Sequence, residues 1–224
     1  MKKNLKIALN ILVFLIYYFM PKLFNFILKV LNINYSNFPT LTIIILFLTE
    51  LIPLIFLLLI YKKDFKEEFE NYKNNFFDKI DKYIWIYIFG LVIMTISNSL
   101  ITAITGSDMP SNEKAIRAIT NVLPIYMFIS ASITGPITEE LVYRKCISNI
   151  FTNKYLAIVM SGIIFGLAHI LGSYKEISDL LYVIPYGTFG AVFMYIYLDS
   201  KSIFSTITIH IVHNTLLMIM FFVR

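Results

Sequence analysis

Three short groups of polar residues interrupt otherwise apolar stretches of this chain. Glu139 and Glu140 open the run T-E-E-L-V-Y-R-K, His169 ends the run F-G-L-A-H, and Asn214 ends the run H-I-V-H-N. Ionisable side chains at membrane depth are energetically expensive, so they mark candidate functional sites. Glutamate, histidine and asparagine side chains on separate apolar helices form a set that can activate a water molecule.

The spacing of the first group gives its two glutamates different surroundings. Glu140 and Arg144 are four residues apart and therefore share one face of a helix, where they can form an ion pair. Glu139 lies about 100° away around the same helix, because each residue turns an α-helix by that angle. It is left without this partner and is free to act as a base. The alternative is a solvated helix start at the membrane surface, capped by Thr138.

The second group is predicted to meet the first across a helical hairpin. The expected turn at 152–154 lies about 15 residues after Glu139 and about 15 before His169, so both residues sit roughly 22 Å from it at about 1.5 Å per residue. We expect them to lie at the same depth. Gly162 and Gly166 are spaced to let a neighbouring helix approach closely. The alternative for His169 is a hydrogen-bonded histidine at the membrane interface.

The third group lies deep in the last apolar segment. His210 and Asn214 are one turn apart, so they must face the bundle and be hydrogen-bonded. The alternative role is polar contact between packed helices. His213 lies on a neighbouring face and is interpreted as support. Glu50 is a further acid in an apolar segment; it either pairs with Arg144 or reaches the interface, outside the immediate site.

The composition places all three groups in a polytopic membrane protein. Of the 224 residues 58% are hydrophobic and 15% are charged, whereas soluble domains carry about 25% charged residues. Seven apolar segments approach the roughly 20 residues that a membrane-spanning helix needs: 5–30 (with a break at Pro21 as the alternative), 39–61, 83–105, 114–136, 155–172, 177–198 and 202–222. The fold class predicted is an all-α membrane bundle of about seven transmembrane helices. The first segment is interpreted as a retained span, because no small-residue cleavage site follows it.

The charged residues indicate organisation and orientation. Residues 62–82 mix lysines, acids and phenylalanines, which predicts an amphipathic helix on the membrane surface, with a solvated connector as the alternative. We divide the chain into N-terminal transmembrane segments (1–113) and a core (114–224). Most of the 19 basic residues fall on the cytoplasmic side if the N-terminus is inside. The net charge of +5 is therefore no sign of nucleic-acid binding, and the single cysteine excludes an intrachain disulfide.

Taken together, the motifs resemble a known family. E-E-x-x-x-R at 139–144, F-x-x-x-H at 165–169 and H-x-x-x-N at 210–214 are similar to the motifs of the CAAX prenyl endopeptidase and bacteriocin-processing (CPBP, or Abi) family. The resemblance covers about half the chain, and each motif is specific only in combination with the others. Lys145 is a departure, because the family usually has a small residue there. The aromatic residue expected before the arginine is present as Tyr143.

The resemblance implies an intramembrane endopeptidase and a role for each motif residue. Glu139 and His169 would hold and activate the attacking water. His210 and Asn214 would stabilise the oxyanion of the tetrahedral intermediate. Two further residues would support this set: Glu140 and Arg144.

The residues leave two possibilities for a cofactor. His169, His210 and Glu139 are residue types that can bind zinc, with water as the fourth ligand. The H-E-x-x-H spacing of soluble zinc proteases is absent from the sequence. We therefore favour a site without a metal and keep zinc as the alternative.

These features favour a membrane protease over other functions. The expected partners are the lipid bilayer and a membrane-associated peptide or protein substrate, in a bacterial plasma membrane, with a role in bacteriocin processing or self-immunity. The alternative is a non-catalytic immunity or scaffold protein in which the polar residues only join helices. A transporter is less favoured, because the sequence has no inverted repeat.

Overall fold

A computed structural model describes residues 3–34, 37–106 and 109–223, and within these ranges the chain forms helices and turns without a strand. The predicted polytopic helical bundle is confirmed. Lys2, one of the basic residues assigned to the cytoplasmic side, lies outside the described residues. The α-helices are α1 (Lys3–Val30), α2 (Pro39–Asn71), α3 (Ile80–Thr105), α4 (Ser111–Val122), α5 (Pro124–Ile129), α6 (Gly135–Glu140), α7 (Ile147–Ile150), α8 (Lys154–Leu171), α9 (Val183–Ser200) and α10 (Ile203–Val223).

Five helical stretches of the described chain are long and apolar enough to cross a membrane, and the second of them contains both α2 and α3. They are Ile7–Val30, Pro39–Thr105, Lys154–Leu171, Ile177–Ser200 and Ile203–Val223. Helices α5, α6 and α7 follow one another closely between the second and third stretches. This part of the chain contains the charged residues Glu139, Glu140, Arg144 and Lys145.

The predicted single helix at 114–136 is wrong. Helix α4 ends at Val122, Leu123 has a non-helical backbone with φ −129° and ψ 63°, and α5 begins at Pro124. Proline has no backbone N–H to donate and is favoured in the first turn of a helix. The chain therefore starts a new helix at this proline, and this helix leads into the one that carries Glu139.

The structure also differs from the predicted surface helix at 62–82. Residues 62–71 continue α2, and a short connection leads from Asn71 to α3. Glu68 of this extension is buried. Its carboxylate accepts a hydrogen bond from the Lys145 ammonium group and another, of 2.7 Å, from the backbone N–H of Ile203. Asp64 lies 2.9 Å from the same lysine nitrogen. Two acids of this stretch, Asp64 and Glu68, thus bind a lysine of the core, whereas Glu67 and Glu70 are exposed.

Helices α8 and α9 pack at backbone distance, as the glycine spacing predicts. A Cβ atom on Gly162 would lie 2.8 Å from the carbonyl oxygen of Gly187, and one on Gly166 would lie 2.7 Å from that of Val183. Small residues at such positions allow two helices to approach closely in a membrane. This contact sets the position of α8, and hence of His169 near its end.

Replacing Gly166 by alanine tests this close contact. A methyl group there meets backbone atoms that cannot rotate away, so we expect Gly166→Ala to reduce the free energy of unfolding by about 1–3 kcal/mol, as overpacking usually does. Gly172→Ala is the matched control, because its Cβ would meet only the Ala168 oxygen, at 4.0 Å. Reaction of the single, buried Cys146 with a thiol dye during heating in detergent reports unfolding. Equal thermal unfolding midpoints for Gly166→Ala and Gly172→Ala would contradict the prediction.

Candidate active site

The helix that carries the paired glutamates contains two π-helical turns. Residues Ser130–Thr134 and Leu141–Cys146 form these turns and flank α6, which ends at Glu140. A π-helical turn widens the helix by one residue and is found frequently at functional sites. Here the two turns determine which way the glutamates and the residues on either side of them face.

Glu140 is sealed inside the protein. Its Oε2 lies 3.0 Å from the Nε of Arg144, and its Oε1 accepts a hydrogen bond of 3.1 Å from Nη2 of the same guanidinium. Both side chains are 0% exposed. Arg144 also donates to Ser161 of α8 at 3.1 Å, and it lies over the rings of Phe165 and Phe193. The predicted ion pair between Glu140 and Arg144 is confirmed.

Glu139 has different surroundings, as the helical spacing predicts. Its side chain is 20% exposed, and Oε2 lies 3.8 Å from Nε2 of His210. Among the described residues, no lysine or arginine forms an ion pair with it. Of the two adjacent carboxylates, Glu139 is therefore the one that can reach a water molecule.

His169 is held with one ring nitrogen available. Its Nδ1 is 2.9 Å from the carbonyl oxygen of Phe165, so Nδ1 carries the proton and donates it. The ring stacks on Tyr186 at 4.7 Å and contacts the ring of Phe165 at 4.2 Å. The Phe165 ring, which contacts His169, also lies 6.5 Å from the ring of His210, the residue that Glu139 faces. In the neutral form, Nε2 of His169 has a lone pair that can accept a hydrogen bond from water.

His210 and Asn214 face the glutamate helix from α10. Nδ1 of His210 lies 2.9 Å from Oε1 of Glu140, and this side chain is buried. Nδ2 of Asn214 donates to the carbonyl oxygen of Ala131 at 2.8 Å, within the first π-helical turn. One N–H of the Asn214 amide remains for another acceptor. The predicted requirement that both residues be hydrogen-bonded inside the bundle is confirmed.

Two residues that the sequence set apart from the immediate site have other partners. His213 shares a 2.7 Å hydrogen bond with Tyr87 of α3 and contacts the ring of Phe189, so it joins α10 to α3 and α9. Glu50 does not pair with Arg144. It accepts hydrogen bonds from hydroxyl groups of the helix that precedes Glu139, those of Tyr126, Ser130 and Thr134.

The arrangement does not present a ready metal site. Within the described residues, no three side chains of histidine, cysteine, aspartate or glutamate are grouped so that they could hold one ion. His169 and His210 each use Nδ1 for a hydrogen bond to protein, and only their Nε2 atoms remain as potential ligands. A histidine that binds a metal usually donates its other ring N–H to protein in this way, so the metal-free site stays a prediction.

Sequence patterns did not identify three contacts of the site. Ser161 accepts from Arg144 and donates to the carbonyl oxygen of Tyr143 at 2.8 Å, although nothing in its spacing distinguishes it from other serines. The carbonyl group of Ala131 leaves no mark in a sequence. Hydroxyl residues at 126, 130 and 134 do have a four-residue spacing, which could have identified the partner of Glu50.

Comparison with known proteins supports the same region. Residues 121–216 match the family model described as Type II CAAX prenyl endopeptidase Rce1-like. The putative membrane peptidase YdiL of Bacillus subtilis (strain 168) is 34% identical over 112 residues, 49% of this chain and 42% of that protein. The membrane-embedded CAAX protease MroQ of Staphylococcus aureus (strain USA300) is 30% identical over 148 residues, 59% of this chain and 56% of that protein. No solved structure is significantly similar to the chain.

A third relative extends the similarity towards the N-terminal half. The UPF0177 protein YvdC of Lactococcus lactis subsp. lactis (strain IL1403) is 26% identical over 191 residues, 80% of this chain and 66% of that protein. The chain spans about half the length of the first two relatives. With its apolar helices and these bacterial relatives, it is a multi-pass bacterial membrane protein, as predicted. The region that contains all three motifs, residues 121–216, is the region that matches the Rce1-like Type II CAAX prenyl endopeptidase family model.

Proposed function

We propose that this protein is an intramembrane endopeptidase in which Glu139 activates the attacking water. The observation that carries the proposal is the contrast between two adjacent carboxylates. Glu140 is fully buried and paired with Arg144, whereas Glu139 is partly exposed and faces His210. A protein that used these residues only to join helices would have no need to keep one carboxylate accessible at membrane depth.

In the first step, a water molecule binds between Glu139 and His169. The Glu139 carboxylate accepts one proton of the water, and Nε2 of His169 accepts a hydrogen bond that orients it. The water oxygen then forms a bond with the carbonyl carbon of the substrate. The electron pair of the carbonyl double bond moves to its oxygen and produces the tetrahedral oxyanion.

His210 and Asn214 stabilise this oxyanion from α10. Asn214 has one amide N–H left after its bond to Ala131. Nδ1 of His210 already donates to Glu140, so this residue can donate through Nε2 only as an imidazolium. In the second step the carbon–nitrogen bond breaks, and the proton held by Glu139 passes to the leaving amine.

The substrate class follows from the location of the site. A site among apolar helices is suited to peptides that are themselves embedded in or attached to the membrane. We therefore propose membrane-associated peptides as substrates, with bacteriocin-type and signalling peptides as the first to test. Mass spectrometry of membrane peptides from cells with the wild-type protein and with Glu139→Gln would identify the cleaved molecule.

Replacing Glu139 by glutamine tests the base. An amide cannot take a proton from water, so cleavage should fall by about 10²–10⁴-fold, the usual contribution of a general base. Glu67→Gln removes an exposed acid from α2 and should leave the rate unchanged. Purified proteins would be compared on the peptide identified in cells. Near-normal cleavage by Glu139→Gln would sink the assignment, and the absence of cleavage by wild type would favour the non-catalytic alternative.

Replacing Arg144 by alanine tests the support of the site. The change leaves Glu140 as an unpaired buried charge, so we expect a loss of about 3–5 kcal/mol in stability together with lost activity. Arg117→Ala is a matched control, because Arg117 also pairs with a glutamate four residues earlier but is 38% exposed. An exposed pair contributes less than about 1 kcal/mol. Thermal melting followed by circular dichroism would compare the two. A stable but inactive Arg144→Ala protein would contradict a supporting role.

Removal of metal tests the proposed metal-free oxyanion site. If hydrogen bonds from α10 stabilise the oxyanion, activity should survive prolonged chelation. Asn214→Ala should reduce turnover by roughly 10²–10³-fold, as loss of one oxyanion donor does. One zinc per chain by elemental analysis, with activity lost on chelation and restored by zinc, would overturn the proposal in favour of a site built from His169, His210 and Glu139.

A further inference from the structure

Glu50 lies at membrane depth and is bound only by hydroxyl groups in the described structure. Ser130 donates to its Oε1 at 2.6 Å, the Tyr126 hydroxyl donates to the same oxygen, and Thr134 donates to Oε2 at 2.7 Å. Among the described residues, no lysine or arginine lies within ion-pair distance of it. An acid without a basic partner in an apolar helix is energetically expensive, and such residues are usually functional.

The three donors lie along one face of the helix that leads to Glu139. Ser130 and Thr134 are the first and last residues of the π-helical turn, so the two oxygens of Glu50 join both ends of that turn to α2. Glu50 thus binds a π-helical turn, in which the positions of Ser130 and Thr134 differ from those in a regular α-helix. Loss of these hydrogen bonds would release both ends of the turn from α2.

The same turn holds the proposed oxyanion donor. Ala131 lies next to Ser130, and its carbonyl oxygen accepts the Asn214 amide at 2.8 Å. A change in the turn would move this carbonyl and rotate the amide with it. Glu50 is therefore connected to Asn214 in three steps. The Ser130 hydroxyl binds Glu50, the peptide unit joins Ser130 to Ala131, and the Ala131 carbonyl binds the Asn214 amide.

We propose that Glu50 is a positioning residue of the site, which acts through the turn at Ser130–Thr134 to orient the Asn214 amide. This inference rests on the proposed endopeptidase function and adds a residue from α2, outside the region 121–216 that matches the family. The competing role is plain attachment of α2 to α5, which would affect stability but not the oxyanion. The two roles differ in how Glu50 is coupled to Asn214.

A double-mutant cycle in the full chain separates these roles. The variants are Glu50→Gln, Asn214→Ala and the two combined, with kcat and KM measured on the peptide identified above. Glu50→Gln should lower kcat by about tenfold and leave KM nearly unchanged, because only the transition state uses the oriented amide. In the Asn214→Ala background the same change should have almost no effect on kcat, since the amide that it orients is gone. Glu67→Gln again serves as the exposed control on α2.

A second pair of variants keeps the carboxylate. Thr134→Val removes one hydroxyl donor to Glu50 and should lower kcat. Thr134→Ser keeps the hydroxyl, so its kcat should remain close to that of the wild type. This pair decides the matter if Glu50→Gln does not fold. The positioning role would be overturned if the losses in kcat from Glu50→Gln and Asn214→Ala were additive. It would also be overturned if Glu50→Gln lowered the unfolding midpoint while the folded protein kept its kcat. Either result would favour plain attachment of the helices.

Hydrogen exchange distinguishes failure of this inference from failure of the proposed function. If the wild-type protein and Glu139→Gln are equally inactive, the endopeptidase proposal fails, but the structural link between Glu50 and the turn can still be tested. Amide exchange in residues 130–140 should still rise in Glu50→Gln and Thr134→Val, and remain at the wild-type rate in Glu67→Gln. Unchanged exchange in all three variants would show that Glu50 does not hold this turn.

Discussion

The buried ion pair between Glu140 and Arg144 is the interaction on which the rest of the site depends. Two full charges inside a membrane protein are tolerated only when their geometry and remaining hydrogen bonds are satisfied. Arg144 uses another N–H group on Ser161 of α8, and Glu140 has His210 of α10 as its second partner. One ion pair within a single helix therefore joins three helices. The positions of His169 and Asn214 follow from the placement of α8 and α10.

The features that could be predicted from the sequence have a fixed period or a fixed distance. The ion pair follows from four-residue spacing, and the close contact of α8 and α9 follows from Gly162 and Gly166. The expectation that Glu139 and His169 lie at the same depth rests on their equal distances to one turn and stays a prediction. Each of these expectations uses only residue spacing along regular helices, which can be counted in the sequence.

Other features depend on tertiary contacts or on a competing local signal. Neither π-helical turn is predicted from the sequence. In the first of them, Ser130 and Thr134 donate hydrogen bonds to Glu50 of α2, a tertiary contact that residue spacing alone does not specify. The break at Leu123 could have been predicted, because Pro124 marks a helix start, but averaging hydropathy over 114–136 hides it. The roles of the site residues in catalysis remain predictions, since contacts show which groups meet and not which bond they break.

The departure at Lys145 and the acidic extension of α2 explain each other. A lysine where the family usually has a small residue would be an unpaired buried charge, but Asp64 and Glu68 neutralise it. Glu68 also accepts the backbone N–H of Ile203, at the first residue of α10. A carboxylate at a helix start is favourable, because the unpaired N–H groups and the helix dipole attract it.

Helix α10 is thus held by carboxylates at two levels. Glu68 of α2 binds its first residue, and Glu140 of α6 binds His210 two turns later. Two fixed points along a helix determine both its depth and its rotation. Asn214, one turn beyond the second point, is therefore directed towards the π-helical turn and its Ala131 carbonyl before any substrate binds. The charged residues outside the three motifs thereby contribute to the placement of the residues within them.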